Sequence, residues 1–245
     1  MAPAGYGGSV EGVHAVSAAV AAGRAIELTV ERHRVDRPPV ADLVAAARQV
    51  GAEVTVVDDV RPLAATTAPQ GVVATCRPIE PVALEALVGQ HTPASLLVVD
   101  HVEDPHNLGA IVRSAVAAGV PRLVVSSRRG APLGGAAFKA AAGALEHCSV
   151  AVVSGSVADV VRSLSRLGVW TIGLDSGGDR SLFGLELFTE PCAIVVGAEA
   201  GLHRLVRERV DVVASIPMAG PTESLNASVA AALACFELFR VRAGG

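Results

Sequence analysis

Short apolar runs alternate with amphipathic stretches along most of the chain. In the first third, this pattern predicts helices near residues 12–22 and 40–50, and strands near residues 26–30, 53–57 and 72–75. Further along, it predicts strands that alternate with helices and that start near Ser95, Leu123, Val150, Val169, Ala193 and Val212. Such alternation is typical of a parallel sheet covered on both faces, so the predicted fold class is α/β.

Two domains are predicted, because a proline-containing stretch separates the two parts of this pattern. Residues 77–93 include Pro78, Pro81 and Pro93 and only a weak amphipathic turn, which indicates a linker. The predicted boundaries are a small α/β domain at 1–76, the linker at 77–93 and a larger α/β domain with a parallel sheet at 94–245. In an open sheet of this kind, ligands bind outside the carboxyl ends of the strands.

Composition excludes several function classes. The chain has 245 residues, of which 51% are hydrophobic, yet no apolar run reaches the roughly 18 residues that a membrane span needs. Residues 1–10 lack the basic and apolar parts of a signal peptide, so the expected location is cytoplasmic. The cysteines lie far apart in apolar stretches, which predicts reduced thiols and no metal site. No G-x-G-x-x-G turn follows a strand, which argues against a nicotinamide dehydrogenase.

Charge is distributed unevenly along the chain. The formal net charge of −4 does not favour nucleic acid as a ligand. However, the stretch 105–145 contains no acidic residue and five basic ones, which are Arg113, Arg122, Arg128, Arg129 and Lys139. A second basic cluster contains Arg32, Arg34 and Arg37. These segments indicate contacts with phosphate groups, although a charge run can also be only a solvated face.

One strand, loop and helix carry residues that suit a binding site. A buried strand is predicted at 95–99, with Asp104 as the N-cap and Pro105 as the first residue of the helix that follows. Gly109 lies one turn before Arg113 and off the apolar stripe, so a ligand could approach the backbone beside the guanidinium. The plain alternative is a surface arginine beside a capped helix.

Two other strand ends carry polar motifs. The apolar strand that starts at Ala193 stops at Gly197, and Glu199 then lies between glycines. A later strand ends near Ile216 and is followed by a polar loop and a helix predicted from about 224 to 240. Three polar strand ends in one predicted sheet indicate a single site.

In order and spacing, these segments resemble the three signature motifs of the SpoU (TrmH-like) family of RNA ribose 2′-O-methyltransferases, within the SPOUT superfamily. The matching residues are Asn107, Gly109 and Arg113 in the first motif, Gly197, Glu199 and Gly201 in the second, and Ile216, Pro217, Met218, Ser224, Leu225, Asn226 and Ser228 in the third. The N-terminal part resembles the substrate-binding domain of the family's 23S rRNA branch, which methylates a guanosine. One difference is that only Ala200 separates Glu199 from Gly201, where close relatives usually have two residues.

The resemblance implies a trefoil knot in the C-terminal domain, a homodimer to which the C-terminal helix contributes, and S-adenosylmethionine as the methyl donor. The residues implied to bind the donor are Val196, Gly197, Gly201, Ile216, Met218 and Leu225. The residues implied to act in catalysis are Arg113, Asn107, Glu199, Ser224 and Asn226, with Arg113 gripping a substrate phosphate and stabilising the developing alkoxide. Contacts with RNA are expected from Arg113, Arg128, Arg129, Lys139, Arg32 and Arg34.

Three hypotheses for the function follow from the resemblance. The favoured one is S-adenosylmethionine-dependent methylation of a ribose 2′-OH, that of a guanosine, in 23S rRNA. The second is a tRNA ribose or antibiotic-resistance rRNA 2′-O-methyltransferase. The third is a non-catalytic RNA-binding module of ribosome assembly. The short loop after Glu199 favours this hypothesis. The evidence against it is the presence of Asn107, Arg113, Ser224 and Asn226.

Overall fold

The structure is a computed structural model that describes residues 5–198 and 201–244. By their internal contacts, the residues form two compact units, Met1–Glu80 with Pro132–His147 and Pro81–Ala131 with Cys148–Gly245. The domains predicted from the sequence, 1–76 and 94–245 around a linker, did not include this return of Pro132–His147 to the first unit.

The first unit is built on a sheet whose described strands follow the order β1-β4-β2-β3. These strands are β1 (Ser9–Glu11), β2 (Ala25–Glu31), β3 (Glu53–Val57) and β4 (Val72–Cys76). β4 pairs antiparallel with β1 and β2, whereas β2 and β3 are parallel. The helices of this unit are α1 (Val13–Ala21), α2 (Val40–Gln49) and α5 (Gly135–Ala140), with short 3₁₀ helices at Arg61–Leu63 and Ala144–His147. The predicted elements are confirmed; β1 was missed because three residues give no periodic signal.

Buried acidic side chains attach Pro132–His147 to the rest of the first unit. Glu146 accepts a hydrogen bond from Nε of Arg24 at 2.7 Å, and a second from the same guanidinium. Glu11 accepts a hydrogen bond from the Ala65 N–H at 2.6 Å, and its Oε1 lies 3.9 Å from Nζ of Lys139. A buried carboxylate is costly unless it is paired, so both acids hold the returning segment in place.

The second unit contains a parallel sheet whose described strands follow the order β7-β6-β5-β10-β8-β11-β9. Its strands are β5 (Ser95–Val99), β6 (Arg122–Ser126), β7 (Ser149–Val153), β8 (Trp170–Leu174), β9 (Arg180–Ser181), β10 (Cys192–Val196) and β11 (Val212–Ser215). Every residue of β5 and β10 is buried, as expected for central parallel strands covered on both faces. The predicted α/β class is confirmed, and the two-residue β9 is the strand that the sequence pattern missed. The knot stays a prediction of the resemblance.

The helices of the second unit are α3 (Leu84–Gly89), α4 (Pro105–Ala117), α6 (Val157–Arg166), α7 (Arg204–Arg207) and α8 (Ala227–Arg242), with a 3₁₀ helix at Glu186–Thr189. Asp104 caps α4 by accepting the His106 N–H at 2.9 Å, and Pro105 is its first residue, as predicted. α8 begins three residues later than predicted because Asn226, rather than an earlier residue, caps it.

Cys76, Cys192 and Cys235 are buried free thiols, as predicted for reduced core thiols, whereas Cys148 is only half-buried. Within the described ranges, no helix combines the length and the apolar character that crossing a membrane requires.

Candidate functional site

A cleft of about 170 Å³ lies at the carboxyl ends of β8, β10 and β11 in the second unit. Predicted site residues that line it are Val196, Gly197, Gly201, Ile216, Met218, Ser224 and Leu225. All six predicted donor-binding residues are therefore on one surface, together with one predicted catalytic residue. The rest of the lining was not predicted from the sequence and consists of Leu174, Asp175, Ser176, Ala198, Ala214, Ala227 and Ala230.

Two glycines shape the turn on the β10 side of the cleft. The Gly201 N–H donates to the Ala198 carbonyl at 2.9 Å, which closes the turn. A Cβ at Gly197 would lie 2.2 Å from the Gly201 carbonyl oxygen, so no side chain fits there. Gly201 has a φ of 86°, a conformation that costs glycine little but strains other residues. Both glycines of the second motif are thus required by the backbone.

Backbone groups on the opposite side of the cleft are free to bind a ligand. Among the described residues, the main-chain N–H and C=O groups of Ile216, Met218 and Leu225 make no hydrogen bond. Met218 is 39% exposed, whereas Ile216 and Leu225 are half-buried. Unpaired amide groups beside apolar side chains match a ligand with a flat apolar ring and polar edges, because the polar edges fix its orientation.

Asp175, directly after β8, supplies a carboxylate in the cleft lining. Its Oδ1 accepts the Gly177 N–H at 3.0 Å and forms an ion pair with Arg207, and its Oδ2 accepts the Leu202 N–H at 3.3 Å. Partial burial acts to raise the pKa of Asp175, but these hydrogen bonds and the Arg207 charge outweigh it and hold the pKa below its ordinary value. The ionised carboxylate thus joins the loop after β8 to the turn after Gly201. In the sequence, the polar residues directly after β8 are the signal that could have identified Asp175 as a site residue.

A hydrogen bond joins the first and third motifs. Nδ2 of Asn226 donates to Oδ1 of Asn107 at 3.1 Å, although 119 positions separate them in the chain. Oδ1 of Asn226 also accepts the N–H of Ser228 at 2.8 Å and its hydroxyl at 2.6 Å. Asn226 therefore caps α8 and positions Asn107 on α4 at the same time.

Arg113 lies on the exposed face of α4 and outside the cleft lining. Within the described parts of the chain, its guanidinium makes no hydrogen bond or ion pair, so it is available to an anionic ligand. Glu199, the remaining predicted catalytic residue, lies outside the described residues.

The residues predicted to contact RNA have different surroundings. Arg128 and Arg129 are exposed in the loop after β6. Arg32 forms an ion pair with Asp58 at 2.9 Å, and Nε of Arg34 lies 3.7 Å from a carboxylate oxygen of Glu31. Both therefore have acidic neighbours in the first unit.

Two members of the predicted basic stretch at 105–145 are occupied within the protein. Lys139 donates to the Thr66 hydroxyl at 2.9 Å and to the Ala68 carbonyl in the first unit. Arg122 is buried and donates to the carbonyl and hydroxyl of Ser95, and its burial lowers its pKa. The prediction that Arg122 adds to a surface field is therefore wrong, because this side chain joins two neighbouring strands.

Family models match both parts of the chain. Residues 94–236 match the SpoU rRNA methylase family, and residues 9–82 match the RNA 2′-O ribose methyltransferase substrate-binding domain. The first match covers more than half of the chain and includes all three motifs.

Individual relatives agree with these matches. A 23S rRNA (guanosine-2′-O-)-methyltransferase, RlmB of Ralstonia nicotianae, is 39% identical over 239 residues, which are 94% of each chain. An uncharacterised tRNA/rRNA methyltransferase of Mycolicibacterium smegmatis is 46% identical over 151 residues, but this match spans only 48% of that relative.

A solved structure supports the same assignment. The SpoU methyltransferase AviRb of Streptomyces viridochromogenes, in complex with the cofactor AdoMet, is 29% identical with a TM-score of 0.77, over 97% of this chain and 91% of that one. The matched models, the full-length relative and this fold agree, and the chain therefore belongs to the SpoU rRNA methylase family.

Proposed function

We propose that the protein transfers a methyl group from S-adenosylmethionine to the ribose 2′-OH of a guanosine in 23S rRNA. The observation that carries the proposal is the convergence of the predicted donor-binding residues on one cleft at the carboxyl ends of β8, β10 and β11. The 39% identity with the Ralstonia 23S rRNA enzyme over nearly both whole chains supports the choice of RNA and nucleotide.

The cleft fits the adenosine part of the methyl donor. Unpaired main-chain groups of Ile216, Met218 and Leu225 can bind the edge of an adenine ring while apolar side chains flank its faces. The cleft has a volume of about 170 Å³, and it is open to solvent at Met218. When bound, the donor supplies an electrophilic methyl group on a sulfonium.

The protein's own residues prepare the ribose for the reaction. A hydroxyl is a weak nucleophile, so it needs an aligned approach and help in losing its proton. Arg113 is free to bind the adjacent phosphate and to stabilise negative charge on the 2′-oxygen, but as an always-charged group it does not itself accept the proton. The proton is released to solvent water as the new O–CH₃ bond forms and the bond from sulfur to the methyl group breaks. Asn107, held by Asn226, orients this arrangement from α4, and Ser224 in the cleft lining holds the loop beside the donor. We also assign Glu199 to this group.

The proposed function is tested by incubating the protein with labelled donor and 23S rRNA, and then mapping the methylated nucleotide. Arg113→Ala should reduce transfer at least a hundredfold, while donor affinity measured by calorimetry stays within twofold. Arg166→Ala is the matched control, because Arg166 is an exposed arginine at the end of α6. Absence of transfer by the wild type, or full activity of Arg113→Ala, would contradict the proposal.

We further propose a homodimer that uses α8. This helix has exposed apolar side chains at Val229, Phe236 and Phe239, with exposed fractions of 46%, 47% and 54%. Val229 and Phe236 are seven residues apart and share one face of the helix. Large apolar groups clustered on a surface mark interaction sites, and a symmetric interface would bury this face in both copies.

Light scattering tests the dimer. Phe236→Ser with Phe239→Ser should convert a dimer into a monomer, whereas Leu63→Ser, at an exposed apolar residue of the first unit, should not. A monomeric wild type would refute this part of the proposal.

We assign the first unit to RNA binding, with Arg32 and Arg34 as candidate contacts, in addition to Arg128 and Arg129 of the second unit. Lys139 is excluded from these contacts because its ammonium group is bound within the first unit. We expect a cytoplasmic location, where the proposed rRNA substrate is found.

A further inference from the structure

A second cavity of about 360 Å³ lies at the carboxyl ends of β5, β6 and β7, in the second unit. It is lined by Asp100, His101, Ser126, Arg128, Arg129, Ser154, Gly155, Ser156, Val157, Ala158, His203, Leu205 and Val206. The two linings have no residue in common. This cavity is therefore a different surface from the cleft proposed to hold the methyl donor, and its volume is within the usual range for small-molecule sites.

Two stacked imidazole rings form one wall of the cavity. The rings of His101 and His203 have centroids 5.7 Å apart and planes inclined by 18°. His101 has a φ of 56°, and its Nδ1 lies 2.6 Å from Oδ1 of the buried Asp100, which fixes the orientation of the ring. His203 is exposed, so the outer face of the stack is open to a ligand. Bases of single-stranded RNA stack on aromatic side chains, including histidine.

Other residues of the cavity lining favour an anion. Arg128 and Arg129 are exposed and, among the described residues, their guanidinium groups make no hydrogen bond or ion pair. The first-turn N–H groups of Val157 and Ala158 on α6 also have no partner there, and such groups at the start of a helix attract phosphate. The histidine wall also contains an acceptor that has no donor. Oδ2 of Asp100 is buried and makes no hydrogen bond among the described residues.

We propose that this cavity binds one nucleotide of the RNA other than the methylated one. Its base stacks on His203, with His101 behind, and its phosphate contacts Arg128 or Arg129 and the start of α6. This inference rests on the proposed function, because it assumes that RNA is the substrate. It adds a subsite that reads a neighbouring nucleotide by stacking, at positions that the three motifs do not include.

His203 offers a sharp test, because its side chain is exposed and does not cap α7. With labelled 23S rRNA as the probe, His203→Ala should weaken binding by about tenfold, the scale of one lost base stack, while His203→Phe should restore most of the affinity. In methylation assays, His203→Ala should raise the KM for RNA with little change in kcat, and the affinity for the methyl donor should not change.

The salt dependence of RNA binding separates the contribution of the two arginines from that of base stacking. Arg128→Gln with Arg129→Gln should weaken binding and lower the slope of log affinity against log salt by about one or more, whereas His203→Ala should leave that slope unchanged. Arg48→Gln with Arg166→Gln removes the same charge from exposed positions near the ends of α2 and α6, and is the matched control.

The outcomes distinguish this inference from the proposed function. If the wild type methylates RNA while His203→Ala binds RNA normally, or if His203→Phe is as weak as His203→Ala, the stacking subsite is wrong. If the wild type transfers no methyl group to RNA, the proposed function fails, and the binding measurements still decide whether the cavity holds a nucleotide.

Discussion

At the scale of single residues, Asn226 makes two kinds of hydrogen bond with one amide group. Its oxygen caps α8 by accepting from Ser228, and its nitrogen donates to Asn107 on α4. The first contact stabilises the helix, whereas the second fixes a side chain that we assign to catalysis. The two contributions are separable by substitution, because they use different atoms.

Asn226→Ala should lower the free energy of unfolding by about 1 kcal/mol and also reduce methyl transfer, because it removes both contacts. Asn226→Ser keeps an oxygen that can cap the helix, but it is too short to reach Asn107. We therefore expect near-normal stability with reduced transfer for Asn226→Ser, measured by urea unfolding and by the methylation assay. Equal activity of Asn226→Ser and the wild type would show that the bond to Asn107 has no catalytic role.

The carboxylate of Asp175 gives a pH-dependent prediction. Its pKa is lower in the folded protein, so its ionised form adds stability that is present above the ordinary pKa near 4 and is lost as the pH falls through the folded value. Asp175→Asn should be less stable than the wild type by about 1 kcal/mol at pH 7, and this difference should shrink below pH 4. Urea unfolding at several pH values measures it, and a difference independent of pH would contradict the assignment.

At the scale of elements, small residues form part of the buried face of α8. Ala227, Ala231 and Ala234 are buried at spacings of four and three, and α8 packs against α4. Small side chains on α8 let neighbouring backbones approach closely, and the packing of α8 against α4 brings Asn226 within reach of Asn107.

Ala231 is fully buried, so a larger side chain has no room there. Ala231→Leu should reduce the free energy of unfolding by about 1 to 3 kcal/mol, the usual cost of overpacking a core. Ala232→Leu, at the neighbouring half-buried position, is the control and should cost less. Thermal unfolding of both variants measures the difference, and equal stability would show that the packing can relax.

At the scale of the whole molecule, thiol chemistry reports on folding in both units. Burial raises the pKa of Cys76 and Cys192 to about 11, and that of Cys148 and Cys235 to about 12. In the unfolded chain, these thiols ionise near pH 8.5.

The thiols should therefore react slowly with a disulfide reagent at pH 8 in the native protein and rapidly in denaturant, since the thiolate is the reactive form. The free energy of unfolding should also fall as the pH rises above about 8.5, because only the unfolded chain then loses protons readily. Labelling of all four thiols of the native protein within the mixing time would contradict both expectations.

The two units differ in how much of their organisation the sequence predicts. Strands such as β5 and β10 are continuous apolar runs, so their position and burial follow from local composition. The return of Pro132–His147 to the first unit is not local, because it depends on pairings such as Arg24 with Glu146 between residues 122 positions apart. Likewise, Arg122 and Lys139 look like surface charges in the sequence, and only their partners at Ser95 and Thr66 identify them as internal contacts.

The sequence by itself determined the α/β class, most elements, the family and half of the residues that line the cleft at the ends of β8, β10 and β11. Apolar periodicity, capping residues and motif spacing are properties of short segments. Only the tertiary structure decided that Asn226 bonds to Asn107, that Asp175 joins the cleft, and that His101 stacks on His203. These contacts join residues distant in the chain, and their geometry depends on how strands and helices pack rather than on any one segment.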